Sequence, residues 1–286
     1  MAVPDSLGNY HLLSGNAIGA LLGEYRILKL KELGYLPQSG SPRAAWVKTF
    51  VSSNLQEAIA HQQGLKCVNT LTGFKWIGEK LLEYENRLKA ECPEAPPYDT
   101  LPFGKRAELL LKHSNFYVFG GEESYGYLAS DLVRDKDANA AAGLFCELLA
   151  SLKKQNKNVL DYLDEVYLKY GYFAEETLSI FYEGALGAQK IKNILESYRD
   201  HPPTSLGGLL VEKVQDFARD EIFDADGKGI PAEDFFFIHL SQGMSYAVRA
   251  SGTEPKIKFY LFANGKADSL ESLANLKTDL AIQLAN

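Results

Sequence analysis

Cysteine is scarce: Cys67, Cys92 and Cys146 are the only three in 286 residues. The number is odd and no Cys-x-x-Cys pair occurs. Neither a disulfide framework nor a thiolate zinc site is indicated, and a reducing cytoplasmic setting is expected. Histidine is equally sparse, and His11, His61, His113, His201 and His239 show no metal-binding spacing. Positive charge is in deficit, with 30 Lys and Arg against 37 Asp and Glu, a net charge of −7. Such a chain is a poor general binder of nucleic acid, whose affinity comes from neutralised phosphates. No apolar run reaches the roughly 18 residues a membrane span needs. The start, Met1-Ala2-Val3-Pro4-Asp5, lacks the basic-then-apolar order of a signal peptide. Neither a nucleic-acid nor a membrane partner is therefore expected. Nucleophile elbows of the Gly-x-Ser-x-Gly type and Walker loops are missing too.

What is present suits a globular protein: 46% apolar and 23% charged residues, in a length close to two domains. Residues 1–13 read as two short strands around a turn, and 16–33 as a helix ended by Gly34. Gly15, Gly19 and Gly23 recur every fourth residue, as a surface for close packing, as a phosphate loop, or as glycines merely tolerated on a helix face, the reading favoured where no strand–Gly-loop–helix context is present. The stretch 34–45, rich in Gly, Pro and Ser, reads as a linker. Beyond it, strand-like segments at 46–51, 65–69 and 116–119 alternate with helical ones at 54–63, 74–89 and 137–153. That alternation indicates α/β units. A connector helix spans 159–170, 172–182 is extended and 186–199 is helical. Four strand candidates follow at 209–217, 235–240, 245–250 and 256–263, and Asp268-x-x-Glu271 reads as a capping box for a last helix. The expected fold is α/β: a mixed α/β sheet, plus a small C-terminal α+β domain of four strands and two helices. The expected divisions are 1–40 as the tail of a preceding domain with a linker, 41–170 as one domain and 171–286 as the other.

Four places carry residues suited to chemistry. Arg249-Ala-Ser251-Gly252-Thr253-Glu254-Pro255-Lys256 lies between two strands. Arg249 offers a bidentate fork, Ser251 and Thr253 hydroxyls, and Gly252 open backbone amides, a donor set suited to phosphate. A polar hairpin turn is the alternative. Gly120-Gly121-Glu122-Glu123-Ser124-Tyr125-Gly126 follows a strand, where ligands favour the carboxyl end of α/β sheets. Paired carboxylates beside a hydroxyl suit vicinal hydroxyl groups; an acidic turn is the alternative. Thr70-Leu-Thr72-Gly73-Phe-Lys75 joins a strand to a helix start, with Lys75 in reach of an anion or Thr72 as a simple cap. Lys48 sits among apolar strand residues and reads equally as an edge lysine facing water. Two further charged stretches read as bland. Asp131, Arg134, Asp135, Lys136 and Asp137 fit a solvated loop with a helix cap, and Asp224-x-Asp226-Gly227 fits a turn without the later Glu of a calcium loop.

Together the segments TLTGFKWIGEK (70–80), GGEESYGYL (120–128), RDKDA (134–138) and RASGTEPKIKFY (249–260) resemble the α-D-phosphohexomutase superfamily, in particular its phosphoglucomutase/phosphopentomutase branch. The resemblance spans essentially the whole chain. It implies the end of the family's second domain, its third and its fourth. The family's phosphoserine loop and its three-aspartate magnesium loop do not occur in this sequence, so no catalytic or metal-binding residue is assigned here. Mg2+ is expected in a full-length parent and not on this portion. The implied parent moves a phosphoryl group from phosphoserine to a hexose phosphate and takes it back from the bisphosphate. Glu122, Glu123 and Ser124 match the sugar-binding loop, with Lys75 and Lys48 near the ligand. Arg249, Ser251, Gly252 and Thr253 match the phosphate-binding loop. The implied ligands are glucose 1-phosphate, glucose 6-phosphate and glucose 1,6-bisphosphate. Relatives with similar loops act as phosphomannomutases, phosphopentomutases or bisphosphate synthases, and a sugar-phosphate binder without turnover is the other class of reading.

Overall fold

The computed structural model describes residues 1–252 and 254–285. They form two compact units, one of residues 1–170 and one from Gly171 onward.

The first unit opens with a hairpin of β1 (Ala2–Pro4) and β2 (Tyr10–Leu12). Ser14 then caps α1 (Gly15–Glu32) by accepting from the Ala17 amide at 3.1 Å. The elements that follow are β3 (Ser41–Thr49), α2 (Asn54–Gln62), β4 (Leu65–Thr70), α3 (Phe74–Glu91), α4 (Phe103–His113), β5 (Phe116–Glu122), β6 (Gly126–Leu128), α5 (Ala138–Lys154) and α6 (Val159–Tyr170). The sheet order is β4-β3-β5-β6, with the first three strands parallel and β6 antiparallel. This is the mixed sheet expected from the sequence. Helices α1 and α2 lie on one face with α5 and α6, and α3 and α4 on the other. Parallel strands covered on both faces read as near-continuous apolar runs. Trp46, Val47, Phe116, Val118 and Phe119 are accordingly all fully buried.

Helix α1, assigned from the sequence to a tail with the linker, packs on β5 inside this unit. Its glycines are a packing surface rather than tolerated gaps. A Cβ at Gly15 would stand 1.9 Å from the Glu123 carbonyl oxygen, one at Gly19 2.8 Å from the Gln56 amide, and one at Gly23 2.0 Å from the Trp46 ring. Buried Glu24 on the same helix accepts from the Tyr162 and Tyr170 hydroxyls and from Lys169, and so ties α1 to α6.

Strand β3 begins at Ser41, inside the stretch read as linker. Ala44 and Ala45 are small and fully buried there, and Pro42 sits where the register shifts and no ladder N–H is required. Helix α4 was not foreseen; few of its residues are buried, chiefly Arg106, Ala107 and Leu110. Asp137 caps α5 as anticipated, accepting from the Asn139 and Ala140 amides. The charged stretch before it is less solvated than expected. Asp131 is buried in a bidentate pair with Arg106 and accepts from the Tyr98 hydroxyl.

The second unit corrects the strand count. It holds β7 (Tyr172–Phe181), α7 (Gly184–Asp200), β8 (Ser205–Leu206), β9 (Leu209–Asp216), β10 (Phe235–Leu240), β11 (Ser245–Ala250), β12 (Lys256–Gly265) and α8 (Leu270–Ala285). The sheet has six antiparallel strands in the order β7-β12-β11-β10-β9-β8, not four. Extended residues 172–181 pair with β12 along their whole length. They escaped the strand count because only Ala174 is buried on this edge strand, so no apolar alternation marks it. Strand β8 has two residues, too few for any pattern. Ile191 and Leu195 of α7 pack on Phe236, Ile238, Tyr246 and Val248. The start of α8 is capped by Ser269, which accepts from the Ser272 amide, rather than by the Asp268/Glu271 box. Asp224 forms the foreseen turn, its Oδ1 accepting from the Asp226 and Lys228 amides.

Candidate functional site

In the first unit the carboxyl ends of β3, β4 and β5 bring three of the singled-out segments together. The chain leaves β3 for α2 on one face and β4 for α3 on the other. The strand order reverses between β3 and β5, and ligands in open α/β sheets favour the carboxyl ends of the strands at such a point.

The β5–β6 connection is a tight hairpin, with Glu122 paired to Gly126 and Glu123, Ser124 and Tyr125 at its tip. Tyr125 holds the left-handed conformation (φ 66°) and is exposed, as a three-residue hairpin loop requires at that point. The two carboxylates separate. Glu122 turns inward, is 6% exposed, and its Oε1 accepts from the Gly73 amide at 2.8 Å. It thereby serves as the cap of α3, which has no side-chain cap of its own. Thr72, the cap suggested by sequence, does not act as one: its hydroxyl is buried without a hydrogen-bond partner among the described residues. Glu123 is half-buried with Oε2 3.4 Å from the Thr49 hydroxyl, and Ser124 is exposed.

Lys48 is not an edge lysine. It is 1% exposed, on a strand flanked on both sides. Its ammonium reaches the Thr49 carbonyl at 3.4 Å, the Ser52 carbonyl at 3.2 Å and Asn54 Oδ1 at 3.3 Å. All three acceptors are neutral, so the buried charge is solvated but not neutralised. As placed, the amine is enclosed and its field falls on its protein neighbours. The neighbouring Cys67 thiol registers that field: burial pushes it up to about 12, against the opposing pull of Lys48. Lys75, in the first turn of α3, is exposed and lies over the Trp76 ring at 4.6 Å.

Asn69 was not singled out from the sequence. It stands opposite Lys48 in the parallel register, and its Oδ1 is buried without a partner among the described residues. Two buried polar atoms, on Asn69 and Thr72, thus lie without a partner among the described residues at the carboxyl end of β4, and such atoms demand a partner. The available signal was a polar residue closing the apolar strand Cys67-Val68.

In the second unit Arg249 ends β11 and is a quarter exposed or less. Its Nε donates to Glu233 Oε1 at 2.8 Å. Lys258 is directly opposite in the register and shares its face. Like charges placed so repel, and Glu233 only partly relieves this. Ser251 Oγ accepts from the Glu254 amide at 3.3 Å and its own amide donates to the Lys256 carbonyl at 2.9 Å. Lys256 pairs with Glu254 at 2.5 Å and lies over Phe181. Gly252 is exposed, and a Cβ there would meet nothing within 4 Å; the glycine leaves its amide open rather than satisfying a close protein contact. Thr253 lies outside the described residues.

Among the described residues no group of three or more His, Cys, Asp or Glu is placed to hold a metal ion, and no helix is long and apolar enough to cross a membrane.

Comparison with known proteins bears on the family. The family model described as phosphoglucomutase/phosphomannomutase, alpha/beta/alpha domain III, matches residues 14–92 and 103–170, just over half of the chain. The phosphoglucomutase of Staphylococcus epidermidis is 32% identical over 90% of this chain and 41% of its own length. That of Staphylococcus aureus MRSA252 is 29% identical over 91% of the chain and 42% of its own. The chain thus spans about two fifths of these curated relatives. In structure it is similar to parafusin, a phosphoglucomutase from Paramecium, with a TM-score of 0.52 at 16% identity, covering 98% of this chain and 43% of that one. A phosphomannomutase-like protein of Thermus thermophilus gives 0.50 at 17% identity, covering 98% and 43%. From the family match and the site's arrangement, the chain belongs to the α-D-phosphohexomutase superfamily, as a phosphoglucomutase-like member.

Proposed function

We propose that this chain supplies the sugar- and phosphate-recognition region of an enzyme that interconverts hexose 1-phosphate and hexose 6-phosphate. The observation that carries the reading is the rim at the carboxyl ends of β3, β4 and β5. Glu123, Ser124, Asn69 and Thr72 offer hydrogen-bonding groups there beside the un-neutralised charge of Lys48. A pyranose presents hydroxyls that donate and accept, and Glu123 and Ser124 supply both kinds of partner. Glu122 holds the rim in shape. Lys75 is positioned to swing from Trp76 toward an anion. In the second unit Arg249, Ser251 and the open amide of Gly252 form the phosphate-binding loop, with Thr253 its remaining member. Phosphoryl transfer gains mostly from positioning and charge stabilisation, and these residues bind and orient. Among the described residues no group of three or more acidic, His or Cys side chains is gathered that would fit magnesium.

Calorimetric titration with glucose 1-phosphate and glucose 6-phosphate tests this. Binding is expected for the wild type and a loss for Glu123→Gln/Ser124→Ala, with no mutase turnover by either. Equal affinity in the variant would remove the rim from the site. Absence of sugar-phosphate binding by the wild type would refute the reading.

A further inference from the structure

We propose a second anion site, at the opposite end of the first unit's sheet, that takes a phosphate dianion, free or as the monoester of a small metabolite. The start of β3 brings Arg43, the start of β4 brings Lys66, the end of α3 brings Arg87, and the end of α4 brings Lys112 and His113. Together they line a pocket of about 410 Å³. Glu91 is the one acidic residue in its wall. Five basic groups converge in a chain of net charge −7. The pocket is about 20 Å along the strands from the rim at Lys48 and Glu123, so it is a distinct place. It is independent of the function proposed above.

Helix carbonyl ends attract cations, and this accounts for part of the cluster. Arg43 donates to the Lys112 carbonyl at the end of α4, and Lys66 reaches Asn115 Oδ1 at 3.3 Å. It does not account for the rest. Arg87, Lys112 and His113 have no side-chain hydrogen-bond or ion-pair partner among the described residues. Asn115 is 2% exposed and Ser114 3%, both fixed in the floor. Ser114 donates to the Tyr84 carbonyl at 2.7 Å. The floor is therefore fixed, and the exposed Arg87 and Lys112 side chains stand around it without a side-chain partner among the described residues. Like charges held together repel, and an anion with several acceptor oxygens relieves that repulsion. Guanidinium forks on Arg43 and Arg87 match phosphate oxygens. The volume is of small-molecule size, and the acidic remainder of the surface disfavours a long polyanion.

The test uses the whole chain and proton NMR of its five histidines. The His113 imidazole signal is assigned by its loss in His113→Gln. Inorganic phosphate at constant ionic strength is expected to shift that signal saturably. Arg87→Ala/Lys112→Ala, two exposed and unpartnered side chains, is expected to weaken the response by about tenfold or more. Glucose 6-phosphate acting at lower concentration than phosphate identifies an ester; equal action identifies the free ion. A His113 signal that does not saturate, that chloride moves as well, or that the double variant leaves unchanged overturns the site.

Discussion

The carboxylate of Glu122 and the amide of Gly73 meet at 2.8 Å, across 49 positions of sequence. One side chain from the β5–β6 hairpin thereby caps the helix that carries Lys75. Glu122→Ala removes a buried charge-assisted hydrogen bond and is expected to destabilise the first unit by about 1–2 kcal/mol. Glu122→Gln keeps an acceptor and is expected to lose about half of that. Urea denaturation measures both. If Glu122→Ala keeps full stability and loses only ligand affinity, the residue contacts the ligand and does not position α3.

The glycine stripe of α1 makes a different demand. Gly15→Ala drives a Cβ into the Glu123 carbonyl, which is backbone and cannot rotate away. The β5–β6 loop must shift, so sugar-phosphate affinity is expected to fall at a stability cost of about 1–3 kcal/mol. Gly34→Ala serves as comparison: its added Cβ meets no neighbour, although its positive φ carries a small cost of its own. Affinity equal for the two variants would show that the loop does not depend on α1.

Alkaline pH probes the buried phenols. Burial pushes Tyr98, Tyr117, Tyr162 and Tyr170 above their ordinary value of 10.0, with Glu24 raising Tyr162 and Tyr170 further. Above that pH the unfolded chain releases these protons while the folded one retains them. Stability is fully present below about pH 10 and falls as pH rises, by about 1.4 kcal/mol per unit for each such tyrosine. Tyr162→Phe is expected to flatten the slope by one tyrosine's share. Denaturation midpoints on either side of pH 10 that do not differ would contradict the burial.

Arg249 is held by Glu233 at 2.8 Å and faces Lys258. Arg249→Ala is expected to abolish measurable phosphate binding at this loop. Glu233→Gln releases the guanidinium and removes a competing charge, so affinity is expected to rise a few-fold. A fall would mean that Glu233 orients Arg249 rather than competing with the ligand. Isothermal titration with glucose 6-phosphate reads both.

These relationships mark where sequence stops informing. Local chemistry was legible: Asp137 as a cap, Gly34 as a helix end and the polar glycine loops at 120–126 and 249–256. Helix α4 was passed over although Phe103, Ala107, Leu110 and Leu111 recur at helical spacing; there the periodic signal was present in the sequence. Edge strand β7 was not legible, because one buried residue leaves no alternation. The split between Glu122 and Glu123 was hidden too, since adjacent carboxylates look alike until one finds Gly73 and the other Thr49. Likewise Lys48 reads as an edge residue until β5 is known to pair on its far side. Apart from helix α4, what failed was long-range pairing, which no window of a few residues contains.

Strand β3 lies between β4 and β5, yet both follow it in sequence, and its Val47 pairs with Gly120, 73 residues later. A growing chain can zip β3 to β4 early, but the other edge of β3 stays open until β5 has been synthesised. Open edges template pairing with other chains, and such distant closure is slow. The ribosome therefore holds a species with one sticky edge and no β5–β6 hairpin. Any truncation before Phe116 is expected to aggregate instead of yielding a smaller working domain.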